Sequence, residues 1–219
     1  MYQYLPEKIS IFPLKGVIML PETTLPLNIF EQRYLSMVEN ALKTSHRMIG
    51  IIQPKKKANK KDLSVYLTGC LGKIIKFEET TDGRFLISLR GISRINVLNE
   101  SLSKDGYLVA EINNENYIND MDKDHKPNFS YVNDKKLKIE LKNYFKIQKI
   151  ETDWDYIDKC ANIDLVDQIS MICPFTSEEK QMLLESQNLE NRYLLLTSIL
   201  EMNNRNSGDK NVIKHWKRK

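Results

Sequence analysis

Cysteine and histidine are both scarce in this 219-residue chain, and each scarcity excludes something. There are only three cysteines, Cys70, Cys160 and Cys173, far apart and with no C-x-x-C spacing. Neither a disulfide framework nor a zinc knuckle is signalled. There are only three histidines, His46, His125 and His215, each isolated in a polar stretch with no cysteine or carboxylate at ligand spacing. No metal site is expected. Long apolar runs are missing: the longest falls far below the ~20 residues a membrane helix needs. The N-terminus MYQYLPEKIS lacks a basic start followed by an apolar core, so no signal peptide is expected. These absences predict a soluble cytoplasmic protein that makes no membrane contact.

A body-wide excess of one charge is missing too. The net charge is +4. The segment 209–219 carries Lys210, Lys214, Lys217, Arg218 and Lys219 against Asp209, which accounts for the whole excess. Nucleic-acid-binding domains usually carry a basic field over the body, so a nucleic-acid partner is not favoured. Phosphate-cradling G-x-x-x-x-G-K-[ST], dinucleotide G-x-G-x-x-G, G-x-S-x-G and H-E-x-x-H motifs are all absent. Cys70 and Cys173 sit among apolar neighbours, where a small buried hydrophobe is the expected role rather than a thiolate. No catalytic residues, no cofactor and no enzymatic activity are expected.

What is present is an ordinary globular balance, 41% hydrophobic and 28% charged. The periodicity changes partway along the chain. Up to about residue 116 it reads as short strands with one early helix. Apolar runs lie at 9–14, 17–20 and 25–30, punctuated by Pro13, Pro21 and Pro26, which stiffen the connection. Tyr34, Met37, Val38, Ala41 and Leu42 form one stripe at helical spacing. Further strands are expected at 48–52, 65–67, 71–77, 85–89, 92–98 and 107–112. Asp82-Gly83 between two strand patterns is a hairpin signal, because Gly takes the positive φ the turn requires. Gly91 predicts a bend or bulge. Phe85, Ile87 and Leu89 fall on one strand face and Leu86 on the other. The lysine-rich 54–62 reads as a solvated loop and 116–128 as a polar boundary loop.

The remainder is helical, with helices predicted at about 133–149, after Asp153, at 163–172, at 177–186 and at 189–203. Thr176-Ser177-Glu178-Glu179 is a capping box. The expected division is 1–116 as a β domain, 117–208 as a helical domain and 209–219 as a basic flexible tail. The fold class is therefore α+β, about six or seven strands in a closed or partly closed barrel followed by an all-helical part.

Four blocks, in order, carry a family resemblance. They are Ile11-Phe12-Pro13-Leu14 through Leu25-Pro26-Leu27-Asn28-Ile29-Phe30-Glu31-Gln32-Arg33-Tyr34, then Gly69-Cys70-Leu71-Gly72-Lys73-Ile74, Asp82-Gly83-Arg84-Phe85, and Gly91-Ile92-Ser93-Arg94-Ile95. The chain resembles the N-terminal, substrate-binding domain of the Lon protease family, closely over about residues 8–115. The resemblance implies a PUA-like β pseudo-barrel with following helices, in a stand-alone member lacking the ATPase and peptidase domains. It also implies a module that binds unfolded or exposed polypeptide segments without cutting them, linked to protein quality control. A Lon-type protease is the implied partner, and a homo-oligomer is left open. The alternative is an RNA-binding PUA-like domain.

Two routes for a peptide follow from the residues. One is addition to an exposed strand edge; the other is a groove using Met37, Met48, Met182 and Leu183, since methionine suits adaptable surfaces. Phe30 and Tyr34 are candidates for a binding lip. Pro13, Pro21, Pro26, Glu31, Arg33, Asp82, Gly83, Gly91 and Arg94 are read as structural: Glu31 and Arg33 as an ion pair, Arg84 and Arg94 as barrel-end ion partners.

Overall fold

The computed structural model describes residues 5–55, 64–122, 134–160 and 162–216; side chains are described as far as residue 205. Of the loop predicted at 54–62, residues 54–55 instead form a short strand and the rest lies outside the described residues, as do 123–128 of the boundary loop, with His125.

The fold is mixed α+β. Its elements are β1 (Lys8–Pro13), β2 (Thr24–Ile29), α1 (Gln32–Lys43), β3 (Met48–Ile52), β4 (Pro54–Lys55), β5 (Ser64–Val65), β6 (Thr68–Glu79), β7 (Phe85–Leu102) and β8 (Leu108–Asn113). Helices α2 (Asp134–Gln148), α3 (Trp154–Lys159), α4 (Asn162–Ile172), α5 (Ser177–Glu185) and α6 (Leu189–Trp216) follow. Two compact units result. Met1–His125 with Cys173–Glu185 forms one, and Lys126–Ile172 with Ser186–Lys219 forms the other. A piece of the helical half, α5, thus belongs with the strands.

In the first unit, six strands pair in the order β2-β7-β6-β3-β1-β8, and β7 also pairs with β8. β4 and β5 form a separate pair. Five strands therefore close into a ring: β1 on β3 in parallel, then β3–β6, β6–β7, β7–β8 and β8–β1 antiparallel. Ile9, Ile11, Met48, Ile52, Leu71, Ile95, Val97, Leu108 and Ile112 belong to its buried cluster. Closure leaves these strands no free edge inside the ring.

β6 and β7 are longer than the ring needs. Their far ends, with β2 paired along β7, form a three-stranded ribbon. The bulge expected at Gly91 is present, since Gly72 pairs with Gly91 and Leu71 with Ser93, while the strand runs unbroken for 18 residues and joins the runs predicted at 85–89 and 92–98. The reason for glycine is proximity: a Cβ there would lie 2.0 Å from the Leu20 carbonyl oxygen. The apolar run 17–20 forms no strand; Ile18, Met19 and Leu20 are buried as irregular chain. The Asp82-Gly83 turn forms as its residues dictate, with Gly83 at φ +77° and its N–H donating to the Thr80 carbonyl at 2.9 Å.

The 116–128 stretch read as a polar loop begins with a 3-10 helix, Glu115–Met121. Tertiary partners rather than periodicity create it. Arg94, 4% exposed, donates from its backbone N–H, Nε and Nη2 to the Asp120 carboxylate at 2.9, 2.8 and 2.7 Å. The guanidinium stacks over Tyr117 at 4.2 Å, and Nη1 donates to the Leu184 carbonyl of α5 at 3.3 Å. Burial pushes the Arg94 pKa down, but the hydrogen bonds and charge of Asp120 outweigh it and hold it above its ordinary value. α5 is clipped to the strands by a second polar set. Gln53 Nε2 donates to the Ser177 carbonyl and to Gln181 Oε1 at 2.8 and 3.0 Å, and Gln181 Nε2 donates to the Thr68 carbonyl at 3.1 Å. The capping box starts α5, with Glu179 N–H on Thr176 Oγ1 at 3.1 Å and Thr176 N–H on Glu179 Oε2 at 2.7 Å.

The regular elements of the second unit, among the described residues, are all helices. Leu137, Leu141, Tyr144, Leu196 and Leu200 are buried, and a partly buried pair, Arg192 to Asp167 at 2.6 Å, joins α6 to α4. α6 continues through Gly208 to Trp216, past the end predicted near residue 203. One glycine inside a helix costs only about 1 kcal/mol and does not by itself end it.

Candidate functional site

The ribbon is where the strands offer surface. In the register, Pro26, Ser88 and Lys76 form one cross-strand row and Asn28, Leu86 and Glu78 the next on the same face. These residues line an open groove of about 360 Å³. Its apolar lining is Pro26 on β2 and Leu86 on the central β7, beside Ser88, and its β6 side carries one charge of each sign, Lys76 and Glu78. The opposite face holds Ile29, Phe85, Ile87 and Leu89, all buried. At that face's outer margin stands Phe77, whose ring lies 5.0 Å from that of Phe85.

Exposure marks this end as unusual. Ile75 is 53% exposed, Phe77 41% and Leu86 38%, within a few residues of one another on two paired strands. Leu86 stands on the groove face and Phe77 on the other, so both faces of this hairpin end expose apolar side chains, more than the isolated exposed residue that is ordinary. Ile75 is the extra residue of a bulge between Ile74 and Lys76, which turns it outward.

The predicted lip residues lie apart from this groove. Phe30, just past β2, is 66% exposed. Tyr34 is half-buried, its ring 4.3 Å from Phe12 with the Arg33 guanidinium 4.7 Å above it. Burial raises the Tyr34 phenol above its ordinary value. Glu31 and Arg33 pair at 2.7 Å, both substantially exposed. Of the predicted methionine groove, Met182 is exposed on α5, whereas Met37, Met48 and Leu183 are buried. None of the six lines the ribbon groove. Asp82 and Arg84 pair at the hairpin tip at 2.8 Å.

Ile75, Phe77 and Leu86 were not among the residues the sequence singled out as candidates. The signal was a leucine on the strand face opposite Phe85, Ile87 and Leu89. Asp120 and Tyr117 left no signal, since they lie in a polar run.

A second groove, about 250 Å³, lies between the C-terminal end of α1 and strands β1 and β8, lined by Lys8, Ser10, Asn40, Thr44, His46 and Tyr107 among others. Several of its polar groups are engaged with one another or with backbone. Asn40 Nδ2 donates to Asp105 at 3.2 Å and to the Tyr107 hydroxyl at 3.1 Å, and His46 Nδ1 accepts the Met48 N–H at 3.1 Å. Burial lowers the His46 pKa. Cys173 is pushed up to about 12 by burial, with Lys180 opposing. Among the described residues, no three His, Cys, Asp or Glu side chains gather where a metal ion would fit. No helix among them is long and apolar enough to cross a membrane.

Known proteins place this architecture. Residues 8–202 match the family described as the ATP-dependent protease La (LON) substrate-binding domain. The chain belongs to this family. It is 24% identical over 201 residues, 88% of its length, to a Lon protease of Buchnera aphidicola, of which it covers 25%. A Lon protease of Desulfosudis oleivorans is 29% identical over 109 residues, 48% of this chain and 13% of that one. The chain thus spans a quarter or less of these relatives, and its 219 residues hold no ATPase or peptidase domain. Two solved structures share the fold. A Lon N-terminal domain protein from Xanthomonas campestris aligns at TM-score 0.58 with 18% identity, over 87% of this chain and 97% of that one. The N-terminal domain of a Mycobacterium avium complex Lon protease aligns at 0.56 with 14% identity, over 89% and 98%.

Proposed function

We propose that this Lon substrate-binding-type chain binds exposed polypeptide segments noncovalently, on the ribbon formed by β2 and the far ends of β6 and β7. One observation carries the reading: on strands whose other ends are sealed in a barrel, Leu86 stands in the open on the groove face, and Ile75 and Phe77 stand in the open along β6, Phe77 on the other face. Keeping such apolar surface wet is unfavourable by roughly 25 cal/mol per Å² relative to covering it. A passing apolar segment covers it. Membership of a substrate-binding family points the same way. On this reading the chain works in the cytoplasm, beside a Lon-type protease, in protein quality control, and contributes no chemistry of its own. RNA binding gains no support from a body whose charges cancel outside 209–219.

The test is fluorescence anisotropy with reduced, carboxymethylated α-lactalbumin, a permanently unfolded probe, against its native form. The unfolded probe binds and the native form does not. Leu86→Asp weakens binding about ten-fold and leaves the melting temperature within a degree or two. Equal binding of both forms, or of neither, overturns the reading. So does tighter, steeply salt-dependent binding of a structured RNA.

A further inference from the structure

Among the described residues the ribbon has two open edges, β2 and the outer side of β6, and they are not equivalent. Gly91 N–H donates to the Thr23 carbonyl, so Thr23 faces β7. Antiparallel pairing alternates with period two, and the register runs Leu25–Leu89, Leu27–Ile87, Ile29–Phe85. The backbones of Thr24, Pro26 and Asn28 therefore point away from β7. The middle one is proline, which has no N–H. An incoming strand meets a gap at the centre of this edge, a common way to protect one.

The β6 edge differs. Thr80 N–H donates to the Arg84 carbonyl at 2.9 Å, so Thr80 faces β7, and with it Glu78 and Lys76 by register. Phe77 and Glu79 point outward, each with both an N–H and a C=O. β3 pairs with β6 only from Cys70 to Lys73, and the Ile74 N–H goes to the Arg47 carbonyl at 2.9 Å. Among the described residues, no strand covers β6 beyond that point.

Resting on the proposed polypeptide binding, we infer that the occupant is an extended segment that adds as a strand to β6 at residues 75–79, and that β2 is closed to it. Side chains narrow the class. A residue directly opposite Phe77 shares its face, so an apolar side chain there meets the Phe77 ring. Opposite Glu79, and on the other face opposite Glu78, a basic side chain is favoured and an acidic one repelled. The occupant is a strand-forming stretch with an apolar residue next to lysine or arginine, as unfolded chains expose and folded ones bury.

The experiment uses the full chain and the unfolded lactalbumin probe. Adding probe slows amide exchange at Phe77 and Glu79, while Thr24 and Asn28 exchange as before. Glu79→Pro removes one outward donor without touching the ladder to β7 and weakens binding about five-fold, the effect of one hydrogen bond. Glu79→Gln, which removes only charge, weakens it about two-fold. If wild type binds the probe but Phe77 and Glu79 gain no protection, the strand-addition inference is overturned while polypeptide binding stands. If wild type binds no probe, both fall. If Glu79→Pro does not fold, the wild-type exchange pattern decides alone.

Discussion

The same two strands behave oppositely at their two ends. In the barrel half of β6 and β7, the ring closes and the Arg94 guanidinium has an acid, a carbonyl and an aromatic face. In the ribbon half, apolar side chains stand in water and two strand edges are open. The difference teaches that availability at one end rests on closure at the other. A two-stranded hairpin alone is marginal in water; this one is held because its strands continue into a sealed ring.

The comparison is broken most severely from the barrel side. Arg94→Met leaves Asp120 buried without its partner and destabilises by about 3–5 kcal/mol, read as a loss in the urea midpoint. Gly91→Ala forces a methyl against the Leu20 carbonyl and costs about 3 kcal/mol in the same assay, an overpacking strain. Between those changes and the ribbon lies a pH effect. The folded state holds His46 below its ordinary 6.5, so the unfolded chain takes up the proton first as pH falls. Stability is full above about pH 6.5 and declines below it as protonation of Nδ1 opposes the Met48 N–H. Melting scans from pH 7.5 to 5.5 show the decline, and His46→Gln shrinks it. The mildest change is on the ribbon: Arg90→Ala, which removes the exposed pair with Glu22, shifts stability by no more than about 1 kcal/mol. A loss of several kcal/mol there would erase the distinction between the two ends.

Much of the fold was readable in the sequence because the strands are short apolar runs and the turns use Asp-Gly. The early helix followed from one stripe, Tyr34 to Leu42, and the Thr176 box marked the start of α5. The bulge at Gly91 was readable, but not that β7 runs on through it to join the expected runs 85–89 and 92–98, nor that the Leu20 backbone lies against the glycine. The 3-10 helix was hidden because Tyr117 and Asp120 are polar residues whose partner, Arg94, lies more than twenty positions away. A closed or partly closed barrel was expected from the strand pattern, but which strands close it was hidden for the same reason, since β1 pairs with β8. The candidate site was legible only in part. Residue type singled out Met37, Met48 and Leu183, but burial is a tertiary outcome. The leucine at 86 was visible on its own side of the strand, yet only pairing shows that Pro26 and Ser88 sit around it.

The pairing of the first ring strand with the last has a consequence for biosynthesis. Ile9 and Ile11 meet Ala110 and Leu108 only after residue 113 has been made. At about 5–20 residues per second, the apolar opening strand waits roughly 5–20 s on the ribosome for its final neighbour. During that interval the nascent chain is itself an unfolded, sticky segment in need of shielding.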